Sequence, residues 1–417
     1  MRISAAQATN YPHPARMASS VRPKGPELSG LYFLKQQAQH AYNWLLSSGI
    51  QDKRSGAVFS WFDPEQNRYA FIYPEIMGYF ITEQCYLESF SEIFGPLCLS
   101  AARSAADWLI KYGFDSSGGV LPIFSVEGRP ESFGTFGRSH IFTFDNGIIM
   151  NGFLNLYRRT DEPAYLDAAK TVASFLLKNT LRPGKKIMPL YCLGTGLPEE
   201  DPPHWSRSAG PFLAKTAIAF LNLHDLTKDP AYLSAARSLC DNAKRFQSKD
   251  GRTFSPDGTT YMHGHCYAAE GLLVSGLLLK DEAFFSAGLS AVNWFLSRVK
   301  EEGSVRRWYN GPSEARPKSF SSDIQAQALR LLLLAAGASG NDRFRDPKAV
   351  SGLLSTLLYY QAERPADKRV LGGFYYGTDP SSGRGIVNVN SWCTMFALQA
   401  MEMLIKKEAD LELFDLV

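Results

Sequence analysis

Two acids stand where a helix could aim them into a cleft: Glu75 in YPEIMGYF and Asp145 in TFDNGIIMNGF. Cleavage of a glycosidic bond needs a pair of carboxyl groups about the scissile bond, one to give a proton and one to activate water or attack. Both acids also fit a plainer role, because an acid at a helix start caps free N–H groups or complements the dipole. A second constellation, YMHGHCYAAEGLL, brings together His263, His265, Tyr267 and Glu270, types suited to removing and returning a proton. Structural hydrogen bonding is the plainer account of at least one of these histidines, and Glu270 could bond its neighbours within the helix. A metal on His263 and His265 would need a third ligand that the spacing does not supply, so none is expected.

Further residues could hold a substrate. Trp205, Trp308 and Trp392 are flat platforms of the kind that stack on sugar faces, and Tyr79 is of similar type. His140, His204, Asp323 and Asn390 can address hydroxyl groups. Arg138 and Arg306, with Arg129 and Arg307 near them, offer planar donors suited to a carboxylate. For the run RRWYNGPSEARPK the plainer account is a charged, solvated loop, and Asp323 in SSDIQAQA also reads as a cap. The mixture of aromatic, acidic and hydrogen-bonding residues fits a carbohydrate groove better than an apolar ligand pocket. No GxGxxG, P-loop, GxSxG or zinc-type spacing occurs at a suitable place, so no cofactor is expected.

These residues need a frame, and the chain supplies one by repetition. The stretch from Thr143 to Leu177 reads as two helices joined by a tight connection. In the first, from Asp145, apolar residues sit nearly all round, so it must be buried on most sides. The second, from about Ala164, carries Leu166, Ala169, Val172, Ala173 and Leu176 on one stripe, as an outer helix would. Outer helices of this kind are predicted near Leu31–Leu46, Pro96–Tyr112, Ala164–Lys178, Ala231–Phe246, Glu282–Val299 and Pro347–Gln361. Inner helices are predicted to begin near Pro74, Asp145, Pro211, His265, Asp323 and Ser391. Loops with short β-prone runs such as KKIMPLY, SVRRWY and GGFYYG lead into the inner helices, whereas inner-to-outer connections such as TDEPAY and TKDPAY are brief.

Antiparallel hairpins with buried inner helices are best satisfied by ring closure, so the expected fold is an all-α (α/α)6 toroid with short strands at one end. An open solenoid is the alternative. In the ring all inner helices point the same way, and every candidate residue above falls near the end where they start. The toroid is expected to span residues 28–417 as a single domain, with a proline-rich extended arm over 1–27. Of the 417 residues, 45% are hydrophobic and 20% charged, composition for a large core and not for disorder. The net charge of +3 makes no case for nucleic acid or an anionic membrane as partner. The six cysteines are scattered and read as buried small hydrophobes, and a cytoplasmic location is the default.

The repeat, with YPEIMGYF, FDNGIIMNGFLNLYRRTDEPAYLDAA, HCYAAEGLL, SSDIQAQALRL and NSWCTMFALQAMEML, resembles the six-hairpin glycosidase-like superfamily. Within it the chain looks like bacterial toroid proteins associated with polysaccharide metabolism. Unsaturated glucuronyl hydrolases place functional aspartates at inner-helix starts, which by resemblance points to Asp145 and, with Glu substituted, to Glu75. N-acylglucosamine 2-epimerases use paired histidines on inner helices with a glutamate shortly after one. His265 and Glu270 are similar in type, at a spacing that departs from the HxxE pattern. The resemblance implies an enzyme that cleaves an oligo- or polysaccharide, with uronic-acid-containing glycans as candidates. A sugar epimerase and a non-catalytic glycan-binding or polysaccharide-assembly protein are the alternatives.

Overall fold

The computed structural model describes residues 27–89, 95–126, 138–182, 184–202, 204–311, 320–363, 367–379, 385–406 and 413–417. Arg129 and residues 1–26 of the expected arm lie outside them. The helices follow in the order α1 (Glu27–Ser47), α2 (Pro74–Glu88), α3 (Gly95–Trp108), α4 (Thr143–Thr160), α5 (Pro163–Asn179), α6 (Thr216–Thr227), α7 (Pro230–Arg245), α8 (Met262–Leu279), α9 (Glu282–Glu302), α10 (Ser322–Ser339), α11 (Pro347–Leu358) and α12 (Ser391–Lys406). The even-numbered helices are the inner ones, and a 3₁₀ turn over Pro211–Lys215 precedes α6. Among the described residues no helix is long and apolar enough to cross a membrane.

The alternation follows from local chemistry. Inner helices α4, α6 and α8 end at Asp161, Lys228 and Lys280, each in the left-handed conformation that turns the chain out of a helix. An outer helix starts one or two residues later, at Pro163, Pro230 or Glu282, with proline pre-set for the first turn in two of the three cases. The inner faces carry no polar stripe toward water: residues 74–87 of α2 and 143–156 of α4 are buried without a break.

Ring closure is visible at three levels. Consecutive inner helices pack on one another, and α12 packs back on α2. Trp61 and Phe62, in the loop before α2, pair antiparallel with Asn390 and Val389, which lead into α12. The first and last units therefore share one four-stranded sheet, made by strands 68–69, 61–63, 385–390 and 374–378 in that order. On the outside, Trp44 Nε1 donates to the Arg369 carbonyl at 2.8 Å and Gln361 Nε2 to the Gln37 carbonyl at 2.9 Å. A solenoid would leave these donors and the sheet edge unpaired, so the structure is the closed (α/α)6 toroid.

The ring is blocked at the end away from the loops. Along α4, Asn151 and Asn155 donate to the Phe414 carbonyl, each at 2.8 Å, and Arg159 pairs with Asp415 at 2.7 Å. Val417 is fully buried, its backbone N–H donating to Gln399 Oε1 at 3.1 Å. Asn151 lies about 9 Å deeper along α4 than Asp145, at the helical rise of about 1.5 Å per residue. The last residues thus plug the bottom, and the loop end is left as a blind cavity.

Candidate active site

The start of α4 differs from the expected one in a way that matters. α4 begins at Thr143 with Phe142 as its N-cap, and no side chain caps it. Asp145 is therefore not a cap: it sits in the first turn, 3% exposed, with Oδ2 lacking any hydrogen-bond partner. α2 starts at Pro74, as expected, with Tyr73 as N-cap and Glu75 inside the first turn. Both acids point into a cavity of about 830 Å³ at the loop end of the ring.

Tyr73 joins them. The residue before a proline is driven to extended backbone, and Tyr73 adopts φ −118°, ψ 105°. Its hydroxyl sits close enough to both acids that their charges, after burial, push it well above the ordinary tyrosine value. Burial raises the Glu75 carboxyl to about 7, against the lowering effect of the Tyr73 hydroxyl and the Lys215 charge. Asp145 is pushed well above the usual carboxylate range, first by burial and then by the charge of Glu75. The two carboxyls titrate as one coupled pair that holds its protons more tightly than free carboxylates do, because both are buried and each charge disfavours the other.

This arrangement sets a direction for stability. Glu75 binds its proton more tightly in the folded chain, so its contribution to stability is full below the unfolded value of 4.5 and is lost as pH rises through about 7. Glu75→Gln, which cannot ionise, is expected to be more stable than the wild type at pH 8 by roughly 2–3 kcal/mol, or about 2–3 °C in Tm for a chain of this size. The difference closes toward pH 4.5. Thermal melts at both pH values check it, and an equal gap at the two would contradict a burial origin.

Opposite the carboxyl pair, α8 and α10 contribute a second group. His263 Nδ1 lies 3.3 Å from Asp323 Oδ2, close but without hydrogen-bonding angles. Burial lowers the imidazole to about 4, so it is neutral at physiological pH. Its ring packs edge-on against Tyr267 at 4.4 Å, and the Tyr267 hydroxyl accepts a hydrogen bond of 2.8 Å from Tyr79. Above this floor Tyr261 stacks on Trp308 at 4.3 Å and packs against Trp205 at 4.8 Å, while Trp392 closes another side. Arg307 also lines the wall, Nη2 donating to the Tyr376 hydroxyl at 2.8 Å and Nε buried without a partner.

The cavity thus gathers Glu75, Tyr79, Asp145, His204, Trp205, His263, Tyr267, Trp308, Asp323 and Trp392 from the expected set. The others stand elsewhere. His265 donates through Nε2 to the Ala291 carbonyl at 3.0 Å, and its Nδ1 accepts from the Thr253 N–H at 3.2 Å, so both ring nitrogens serve the structure. Glu270 is locked between Lys215 at 2.5 Å and Arg330 at 2.7 Å. Arg306 is turned to Glu302 at 2.8 Å, and its neighbour Arg307 takes the wall position instead. Arg138 lies over the Phe124 ring, Asn390 Oδ1 accepts from the Cys393 N–H at 3.3 Å, and His140 bonds Glu199 at 2.5 Å. Sequence reasoning missed Tyr73 and Tyr261. The Tyr-Pro step was the available signal for Tyr73; nothing local marked Tyr261.

No protein-family model and no curated protein sequence matches the chain. Solved structures do match in fold. A sugar epimerase from a ruminal bacterium superposes with a TM-score of 0.71 at 13% identity, covering 92% of this chain and 100% of that one. Cellobiose 2-epimerase from Spirochaeta thermophila gives 0.69 at 18%, over 92% and 98%. Unsaturated glucuronyl hydrolase from a Bacillus species gives 0.65 at 16%, over 89% and 96%. The chain has the toroid fold of these proteins.

Proposed function

We propose that the protein is a carbohydrate-active enzyme that cleaves a glycosidic linkage of an acidic oligo- or polysaccharide by general acid/base chemistry at the toroid mouth. The observation that carries this reading is the Glu75–Asp145 pair: two buried carboxyls with the Tyr73 hydroxyl close by, facing a cavity walled by tryptophans. Asp145, raised by burial and by the charge of Glu75, is the acid that protonates the departing oxygen, and Glu75 is the base or nucleophile. Trp205, Trp308 and Trp392 supply stacking surface, and the Arg307 guanidinium on the cavity wall supports a carboxylate-bearing sugar. A purely glycan-binding role has no use for an acid and a base held at one point against the cost of burying them.

A second reading, sugar epimerisation, is favoured by neutral His263 at the cavity floor with Asp323 behind it, a base that could remove a proton from a sugar carbon. Incubation of the purified chain with acidic and neutral oligosaccharides in ¹⁸O-water, and separately in D₂O, followed by mass spectrometry, separates the two. Shortened products carrying ¹⁸O are expected from the acidic set. Deuterium at a carbon of an otherwise uncleaved sugar would overturn cleavage in favour of epimerisation.

A further inference from the structure

The strands 140–142, 190–192 and 197–199 form a three-stranded antiparallel sheet that reaches the cavity lining only through Phe142, with His140, Cys192 and Glu199 outside that lining. Its register pairs His140 with Cys192 and Leu190 with Glu199. Residues 190 and 192 share a face, because strand side chains alternate, so His140, Cys192 and Glu199 all project from the same side of the sheet. Their donor atoms lie within 4.8 Å of one another. Imidazole nitrogen, thiol sulfur and carboxylate oxygen are together the donor set of a borderline-soft divalent ion, zinc above all.

We propose that His140 Nε2, Cys192 Sγ and Glu199 Oε1 bind one zinc ion, with water completing the tetrahedron. The surroundings are those of a ligand set. Ser139 Oγ lies 2.8 Å from His140 Nδ1 and holds the ring with Nε2 turned to Glu199 Oε1, 2.5 Å away. Outer contacts of this kind orient metal-binding histidines. Binding requires the imidazole and carboxylate to part by less than about 1 Å, since ligands of a tetrahedral zinc at about 2.1 Å stand roughly 3.4 Å apart. The Glu199 side chain is 38% exposed, which lets it make that movement and leaves the fourth position open to solvent. The strand bearing His140 runs directly into α4, whose first turn holds Asp145, so the ion would fasten the loop of the third hairpin to the segment that aims the acid.

The simplest competing account is a plain His140–Glu199 pair in which Cys192 has no part. Full-length protein freed of metal by chelation and then titrated with zinc alone is expected to take up one equivalent and to melt a few degrees higher. Cobalt in its place is expected to give a thiolate-to-metal charge-transfer band in the near ultraviolet. Cys192→Ser should abolish the band and weaken zinc binding at least tenfold, and Glu199→Gln should weaken binding while leaving the band. Circular dichroism confirms that each variant is folded, and Cys192→Ala replaces the serine variant if it is not. No saturable uptake at tens of micromolar zinc, or undiminished binding without the thiol, overturns the proposal.

Discussion

Asp145→Asn is expected to lower turnover of an acidic oligosaccharide by about 10³-fold or more while leaving the apparent KM within a few-fold, since loss of a positioned proton donor is worth roughly 10²–10⁴. The amide keeps the size and much of the polarity of the acid but has no acidic proton to give. Because burial disfavours the ionised form of this acid, an amide that cannot ionise should not harm the fold, and the variant should melt at or above the wild-type temperature. Initial rates and thermal melts on the same preparations are the measurement. Turnover unchanged in a folded variant would remove Asp145 from the mechanism, and a loss confined to KM would make it a binding residue. The wild-type rate should also fall on the acid side as Glu75 takes up its proton near pH 7.

The largest effect on stability is expected one layer below the cavity, at Glu270. Lys215 and Arg330, with side chains 3% and 1% exposed, both depend on this one carboxylate. The contact is forced by backbone: a Cβ on Gly271 would stand 2.2 Å from the Ala214 carbonyl carbon, so only glycine lets α8 approach the turn that carries Lys215. Glu270→Ala strands two buried cations and should cost about 3–5 kcal/mol, or roughly 4–5 °C in Tm. The sign with pH is specific. Burial already lowers Lys215 to about 8, so the unfolded chain binds its proton up to 10.5 where the folded one does not. Losing Glu270, which raises the lysine, moves that value down, and the deficit of the variant should shrink as pH rises and the lysine gives up its charge. Urea unfolding at pH 7 and pH 9 tests this; a deficit that grows with pH would contradict it.

Much of the architecture was legible from the chain because helices report themselves locally. An inner helix that is apolar all round and an outer one with a single stripe differ within a few residues, and the brief TDEPAY and TKDPAY turns require antiparallel neighbours. Six such hairpins close far more readily than they stay open. The acids at the inner-helix starts were visible for the same reason, since a helix start marks the loop end of the ring.

What the sequence by itself determined is this hairpin repeat, the end of the ring where the inner helices start, and the presence of Glu75 and Asp145 at that end. Tertiary structure decided which neighbour of each candidate faces the cavity. His263 and Arg307 line the wall, whereas His265 and Arg306 turn to Ala291 and Glu302, because adjacent residues on one element point in different directions and only packing against other elements shows which is inward. It also brought Tyr73 close to the two acids, seated residues 413–417 in the ring, and set His140, Cys192 and Glu199 on one face of a sheet. These groupings join units far apart along the chain, so no local spacing encodes them.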